Sequence, residues 1–302
     1  MNKILLIGGS TGVGKTEIAK RCGELLDGYL ISCDSMQIYK EMDIGTAKIS
    51  KEEQKKYPHA LIDIVNPNED FSVAEYVALA KKEIEKARKL NKVPIFVGGT
   101  GLYMKSLLFP YSFSSKDRNE KLREYYKNLC STYGNEYVYN ILKEKDLQRA
   151  EKLHYNDTKR VIRALEILEN GTIVKNEEKS QYDYELVVLY DDREVLYDRI
   201  NKRVDKMVDL GLENEVRNVI QKYNLTRESQ STQAIGYREF FDYFEGLKTK
   251  EETIEKIKQH SRNYAKRQIT WFKTMKDAKY FKLNQIDELL DYIKSTFNIN
   301  SK

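Results

Sequence analysis

Residues Gly9 to Thr16 read Gly-Ser-Thr-Gly-Val-Gly-Lys-Thr, the G-x-x-x-x-G-K-[ST] spacing of a phosphate-cradling loop. The apolar run Ile4-Leu5-Leu6-Ile7 before it reads as a strand, and Thr16 to Leu26 after it reads as a helix, which is the context such a loop needs. Glycines 9, 12 and 14 let backbone N–H groups turn inward around an anion, with Ser10, Thr11 and Val13 completing the loop. Lys15 and the helix N-terminus supply positive charge, and Thr16 offers a hydroxyl to Mg2+. Such a site holds two linked phosphates. The loop alone leaves open whose phosphates they are.

Three further groupings carry reactive chemistry. Ser32-Cys33-Asp34-Ser35-Met36-Gln37-Ile38-Tyr39 falls at the carboxyl end of a second strand, Tyr29 to Cys33, where open parallel sheets place their ligands. Asp34 is there either a base, a cap for the following segment or an acceptor for magnesium-bound water. Gln37 has the paired donor and acceptor that read an adenine edge, though an isolated Gln is usually a surface residue. Gly98-Gly99-Thr100-Gly101-Leu102-Tyr103 ends another strand, Val93 to Val97, without the acid that holds magnesium in many P-loop nucleotidases, which argues against ordinary ATP hydrolysis. Thr100 is either a hydrogen-bonding partner for a reacting group or an N-cap. Arg199, Arg203 and Lys206 share a helix face opposite Leu196, Ile200, Val204 and Met207 or Val208, so one of them could clamp a leaving phosphate; a solvated charged face is the commoner reason for such a triplet.

These groups must be positioned by a scaffold, and the first hundred residues supply one. Apolar runs alternate with helical patterns there, the mark of a parallel sheet flanked by helices. Ser72-x-x-Glu75 is a capping box, and Val73, Val77, Ala80, Ile84 and Ala87 follow at helical spacing up to about Leu90. From about Ser114 to Ser180 the pattern becomes charged, Tyr-rich and helical, which predicts an all-helical insertion over 114–180 in a P-loop NTPase-like α/β core of 1–113 and 181–302. Strand character returns at Leu186 to Tyr190, and the remainder reads as helix broken by Gly211 and Gly236.

Composition narrows the partners. The 302 residues are 40% hydrophobic, enough for a substantial core, and no apolar run approaches the ~20 residues of a membrane span, so we expect a cytoplasmic protein. Cys22, Cys33 and Cys130, like His59, His154 and His260, are too scattered to suggest a disulfide framework or a metal knuckle. The net charge is +5, yet Arg262 to Lys282 holds seven Lys/Arg against the single acid Asp277, so the rest of the chain is close to neutral. That local stripe points to a polyanion. Arg262, Lys266 and Lys273 share one helical face, with Tyr264, Trp271 and Phe272 elsewhere on the helix. Cations that neutralise phosphates and rings that stack on bases suit a nucleic acid; the alternative is packing for the rings and solvation for the cations.

Taken together the segments resemble the tRNA dimethylallyltransferase family, the isopentenyl-tRNA transferases. The likeness covers most of the chain: Gly9 to Thr16, Asp34 to Tyr39, Met42-Asp43-Ile44-Gly45-Thr46-Ala47-Lys48, Leu61-Ile62-Asp63-Ile64, Gly98 to Tyr103, Asn156-Asp157 through Arg163-Ala164-Leu165-Glu166, Ala234-Ile235-Gly236-Tyr237, and Tyr264-Ala265-Lys266-Arg267-Gln268-x-Thr270-Trp271-Phe272. The resemblance implies transfer of a dimethylallyl group from dimethylallyl diphosphate to N6 of the adenosine beside the anticodon, with the P-loop holding the leaving diphosphate and ATP playing no part. It implies Asp34 as general base, Thr100 beside the reacting amine, Arg203 on the diphosphate, and Lys15 and Thr16 with Mg2+ as diphosphate ligands. Asp34, Ser35, Met36, Gln37, Thr100, Arg123 and the run Lys159, Arg160, Val161, Ile162, Arg163 match the family's tRNA-contacting positions. Ser10, Ala60, Lys159 and Lys273 depart from its commonest residues, and the Cys/His pattern of the eukaryotic members' zinc finger is missing after the core, which favours a bacterial-type enzyme; we expect a monomer. A nucleoside or small-molecule kinase shares the P-loop, sheet and insertion but would require ATP turnover; a non-catalytic RNA-binding protein fits poorly with intact Lys15, Thr16 and Asp34.

Overall fold

The computed structural model describes residues 3–109, 119–171 and 179–299. Its chain divides into two compact units, residues 1–108 with 180–302, and residues 109–179. The sequence-based start of the insertion at 114 lies outside the described residues.

The larger unit is built on six parallel strands, β1 (Lys3–Gly9), β2 (Gly28–Ser32), β3 (His59–Ala60), β4 (Val93–Val97), β5 (Asp183–Tyr190) and β6 (Lys279–Lys282), in the order β3-β2-β4-β1-β5-β6. Ile4 to Ile7 are fully buried on β1, as expected of a central parallel strand covered on both faces. The register Ile7↔Val97 and Ser32↔Val97 aligns the carboxyl ends of β1, β2 and β4, so the three segments that follow them emerge along one edge. Helix α1 (Lys15–Leu26) leaves the P-loop, α2 (Lys51–Lys56) precedes β3, α3 (Val73–Lys89) leads into β4, and α4 (Gly101–Leu108) leaves it. The Ser72–Glu75 capping box is present. On α3 the buried residues are Tyr76, Ala80, Ile84 and Ala87, while Val73 and Val77 are half-buried. Tyr76 takes the central place because its hydroxyl donates to Ser32 O (3.0 Å) under the sheet edge.

The smaller unit contains α5 (Glu120–Tyr133), α6 (Asn135–Lys145), α7 (Leu147–Ala150) and α8 (Thr158–Glu169), packed around Tyr126, Val138, Leu142, Val161 and Leu165. Glu166, fully buried, is its polar centre. Arg123 grips it through Nε and Nη2 (3.0 and 2.9 Å), Arg163 through Nη1 (2.6 Å), and Asn119 N donates as well (2.8 Å).

Back in the larger unit, α9 (Arg193–Asp209), α10 (Leu212–Tyr223), α11 (Phe240–Phe244), α12 (Lys250–Phe272) and α13 (Ile286–Thr296) complete the chain. The expectation of helix alone after residue 190 is corrected by β6, a four-residue edge strand whose Lys-Tyr-Phe-Lys sequence carries no long apolar run. Thr249 and Glu252 form a capping box at the head of α12, which then runs 23 residues to Phe272 without a break.

Burial alone would raise the Glu166 pKa, but the hydrogen bonds from Arg123, Arg163 and the Asn119 N–H outweigh it and hold the carboxyl below its ordinary value. A depressed folded pKa gives stability that is complete above the ordinary glutamate pKa, ~4.3, and is lost as pH falls through the depressed value. Glu166→Gln should therefore destabilise the helical unit by about 1–3 kcal/mol near pH 7, with the gap from the parent closing below about pH 4. Urea melts followed by circular dichroism across this range test it; a gap that stays constant to pH 3 would refute the charged pairing.

Candidate active site

The loop between β1 and α1 has the backbone its glycines allow: φ is positive at Gly9, Gly12 and Gly14 (144°, 80° and 91°). Gly14 is the N-cap of α1 and no side chain caps that end, so the first-turn N–H groups remain available to an anion. Lys15 Nζ donates to Ser10 O (2.7 Å), which folds its chain back over the loop. Val13 is fully buried and Ser10 is 1% exposed, so these two belong to the cradle through their backbone only.

A cavity of about 290 Å³ lies against this loop, lined by Gly12, Lys15, Thr16, Asp34, Gly98 and Arg203 among others. Burial lowers the Lys15 pKa to about 8, opposed by Asp34 and reinforced by Arg203. Arg203 is likewise pushed down by burial and supported by Asp34, and its Nε is buried without a hydrogen-bond partner. Of the basic triplet on α9, it alone faces this cavity. Arg199 is bound to Asp191 (2.8 Å) and Lys206 is exposed, so the shared face brings one of its three cations to the cavity.

The loop after β2 presents Asp34. Its Oδ1 accepts from Met36 N (2.9 Å) and Gln37 N (3.3 Å), so the capping alternative is realised, as a turn and not a helix, and it fixes the carboxylate. Thr100 Oγ1 accepts from Ser35 N (3.0 Å), tying the turn after β4 to that loop. Thr100 thus stands beside Asp34 without acting as a side-chain cap of α4. A second cavity, about 210 Å³, shares Thr11, Asp34, Thr46 and Arg203 with the first and continues over Met36, Met207, Ile257 and Tyr264. Asp34 and Arg203 lie on the boundary of the two.

Several of the expected contact residues also bond within the protein. Gln37 lines the cavity and ties the Met42–Lys48 loop to β2, its Nε2 donating to Thr46 O (3.2 Å) and its Oε1 accepting from Ser32 Oγ (3.3 Å). Val161 and Ile162 are 1% and 7% exposed in the core of the helical unit, so their side chains cannot meet RNA. Arg123 and Arg163 are committed to Glu166, whereas Lys159 and Arg160 are exposed on the first turn of α8. On α12, Lys266 is exposed, Lys273 is exposed just past the last turn, and Arg262 is half-buried with Nη1 donating to Asn201 Oδ1 (2.6 Å). Phe272 is 1% exposed and packs over Gly8, and Trp271 packs over Gly101, so for these rings packing is the correct reading.

Residue-by-residue chemistry missed Tyr264, Gln268 and Glu215. Tyr264 lines the second cavity, where burial raises its pKa. Gln268 Oε1 accepts from Thr11 N (2.8 Å) and its Nε2 donates to Gly99 O (2.9 Å). Glu215 accepts from the N–H groups of Asp43, Ile44 and Gly45 (2.9, 2.7 and 2.9 Å), fixing the loop that walls the first cavity. Tyr264 and Gln268 lie in the Tyr264–Phe272 segment that carries the family resemblance, but nothing local gives them or Glu215 a role, since each acts on residues remote in sequence. Among the described residues no group of three or more His, Cys, Asp and Glu could hold a metal. A cation at this site would have the Thr16 hydroxyl, the Asp34 carboxylate and ligand oxygens, a hard-oxygen donor set that suits Mg2+.

Known proteins share this whole arrangement. The profile of the IPP transferase family matches residues 37–275. A tRNA dimethylallyltransferase of Bacillus cereus (strain ATCC 10987 / NRS 248) is 44% identical over 99% of this chain and 96% of its own length, and one of Bacillus anthracis is 44% identical over 99% and 98%. Among solved structures, the full-length tRNA isopentenylpyrophosphate transferase of Bacillus halodurans superposes with a TM-score of 0.75 at 38% identity, covering 99% of this chain and 97% of that one. A eukaryotic dimethylallyltransferase captured acting on tRNA superposes with a TM-score of 0.78 at 28% identity, covering 93% of this chain and 74% of that one. With its P-loop, the carboxylate turn after β2 and the Gly-Gly-Thr-Gly turn after β4 gathered at one sheet edge, and with relatives alike from end to end, this chain belongs to the IPP transferase family.

Proposed function

We propose that the P-loop cavity holds dimethylallyl diphosphate by its diphosphate, with Asp34 taking the proton of the attacking adenine amine. The reaction is that of the family: a dimethylallyl group passes from dimethylallyl diphosphate to N6 of the adenosine beside the tRNA anticodon, and diphosphate leaves. The observation that supports the residue assignment is the lining of one cavity by two half-buried cations, Lys15 and Arg203, and one carboxylate, Asp34.

Adenine N6 is a poor nucleophile because its lone pair is delocalised into the ring, so a base must accept its proton as the N6–carbon bond forms. Asp34 suits that task. Its Oδ1 is held by the Met36 and Gln37 N–H groups, which leaves Oδ2 to accept the proton. As the allylic carbon–oxygen bond breaks, the electron pair departs with the diphosphate, and negative charge grows where Lys15, Arg203 and the first N–H groups of α1 already converge. Thr16 would hold Mg2+ together with diphosphate oxygens, where the cation would neutralise part of that charge. The apolar walls of the second cavity, Met36, Met207 and Ile257, suit a flat base or a short isoprenoid. Lys266, Arg262 and Lys273 present the positive face of α12 to RNA phosphates, and exposed Lys159 and Arg160 do the same on α8.

Three measurements test these roles. Asp34→Asn should lower kcat about 10²-fold or more while tRNA binding stays within a few-fold, because only proton transfer is removed; a variant with weakened tRNA affinity and parental kcat would make Asp34 a binding residue.

Lys15 is depressed to about 8 in the free protein, so above that pH its amine is mostly neutral and must gain a proton when the diphosphate ligand arrives. Titration calorimetry with dimethylallyl diphosphate, in buffers of different ionisation enthalpy, should show uptake approaching one proton at pH 9 and much less at pH 7.5. Affinity should fall as pH rises through 8. Equal uptake at both values would place Lys15 away from the diphosphate.

Replacing Arg262, Lys266 and Lys273 together by Ala should weaken tRNA binding most at low salt, and should flatten the log K against log salt slope by roughly 0.7–0.9 for each phosphate deprived of its cation. Dimethylallyl diphosphate binding should hold. An unchanged slope in the folded triple variant would make the stripe a solvated surface.

A further inference from the structure

We propose that Gln268 is a positioning residue which, through one side-chain amide, sets the distance between the phosphate loop and the loop that carries the base. Gln268 sits on α12 and is 5% exposed. Its Oε1 accepts from Thr11 N (2.8 Å) and its Nε2 donates to Gly99 O (2.9 Å), so a single rigid plane joins the segment after β1 to the segment after β4. Both partners are backbone groups of irregular segments: Gly99 O is buried and would otherwise lack the hydrogen bond that buried backbone requires, and Thr11 N is half-buried at the cavity wall. An apolar side chain of the same length would abandon both. A glutamate would keep the Thr11 bond and set an acceptor against the Gly99 carbonyl.

The fit at this point is close. A Cβ on Gly99 would overlap Gln268 Nε2, one on Gly101 would overlap the Trp271 indole, and one on Gly8 would overlap the Phe272 ring. Residues 268, 271 and 272 lie at i, i+3 and i+4, so one face of α12 presses on the carboxyl ends of both strands at once. From Gly99 the linkage reaches the base. Thr100 N donates to Cys33 O (3.2 Å), Thr100 Oγ1 accepts from Ser35 N (3.0 Å), and Asp34 lies between the two. From Thr11 the linkage reaches the diphosphate holder, because the adjoining Ser10 carbonyl receives Lys15 Nζ (2.7 Å). Gln268 touches neither substrate nor reacting atom. It fixes where Asp34 stands relative to Lys15, and it does so from the helix whose other face carries Arg262 and Lys266.

This inference rests on the reading of Asp34 as base, so the test separates the two. Gln268→Met, Gln268→Glu, Asp34→Asn and the Gln268→Met/Asp34→Asn double variant are compared by single-turnover transfer rate, KM for dimethylallyl diphosphate, tRNA affinity and thermal melting. A displacement near 1 Å between reacting groups costs up to about 10²-fold, so Gln268→Met should transfer about 10- to 100-fold more slowly with tRNA affinity within a few-fold. The double variant should be no slower than Asp34→Asn alone, because both changes act through the same proton acceptor. Gln268→Glu should regain rate relative to the parent as pH falls, since a protonated glutamic acid has the shape of glutamine and can again donate to Gly99 O. A Gln268→Met protein that melts early but transfers at the parental rate overturns the proposal. So does a double variant whose effects multiply, or a Gln268→Glu protein whose relative rate is flat with pH. If Asp34→Asn alone transfers at full rate while Gln268→Met does not, the base assignment fails and the route through Asp34 falls with it.

Discussion

Two half-buried cations set against a single carboxylate govern the rest of this molecule. Lys15 and Arg203 lie in one cavity with Asp34, and the desolvation that lowers both their pKa values is only partly offset by that one acid. An ion pair of matched charge would be content without a ligand; an excess of partly desolvated positive charge is not. On the proposed reading, the stability that this arrangement forgoes would return when a diphosphate binds, and the same excess would then stabilise the charge that grows on it as it leaves. The scaffold's task is to hold the two cations in place while the site is empty.

That task falls to the sheet edge and to α12. Parallel pairing of β4 between β1 and β2 fixes where three loops emerge, but a sheet specifies only the roots of its loops. Gln268, Trp271 and Phe272 fix the loops themselves, by pressing on glycines that have no side chain to keep the helix away. A long uninterrupted helix suits this role because its faces are rigidly related: what binds on one face is registered with what is held on another. In this protein the Arg262 and Lys266 cations and the loop-holding residues share that one element.

Much of this was legible in the sequence, for reasons that are local. The P-loop, the Ser72–Glu75 capping box and the buried runs of β1 and β4 are each encoded by neighbours in the chain, and each stands where expected. Arg203 was one of three equivalent cations by spacing, because periodicity identifies a helix face and not the depth to which one member is buried. The donor–acceptor pair of Gln37 is visible in sequence, whereas the Thr46 carbonyl that its Nε2 engages is not. β3 and β6 are too short, and β6 too charged, to register as strands before their pairing partners are known. Val161 and Ile162 lay within a motif that carries exposed cations at its start, and the helical twist of α8 turns their side chains into the core.

The Met42–Lys48 loop and the P-loop both turn backbone N–H groups inward, and comparing them separates scaffold from candidate site. In the Met42–Lys48 loop the N–H groups of Asp43, Ile44 and Gly45 converge on Glu215, whose Oε1 also accepts from the Tyr237 hydroxyl, while buried Lys48 neutralises Asp43 and Asp63. Its anion is part of the protein, so the loop is locked and walls the cavity through Thr46 and Ala47. At the P-loop the same backbone device opens on Gly12, Lys15 and Thr16, and Asp34, the one carboxylate lining that cavity, is held by the Met36 and Gln37 N–H groups of its own turn. Backbone curvature and cationic surroundings alone would describe both places. What marks the P-loop as the site is that its carboxylate is tethered elsewhere, so the anion that completes it must come from outside the chain.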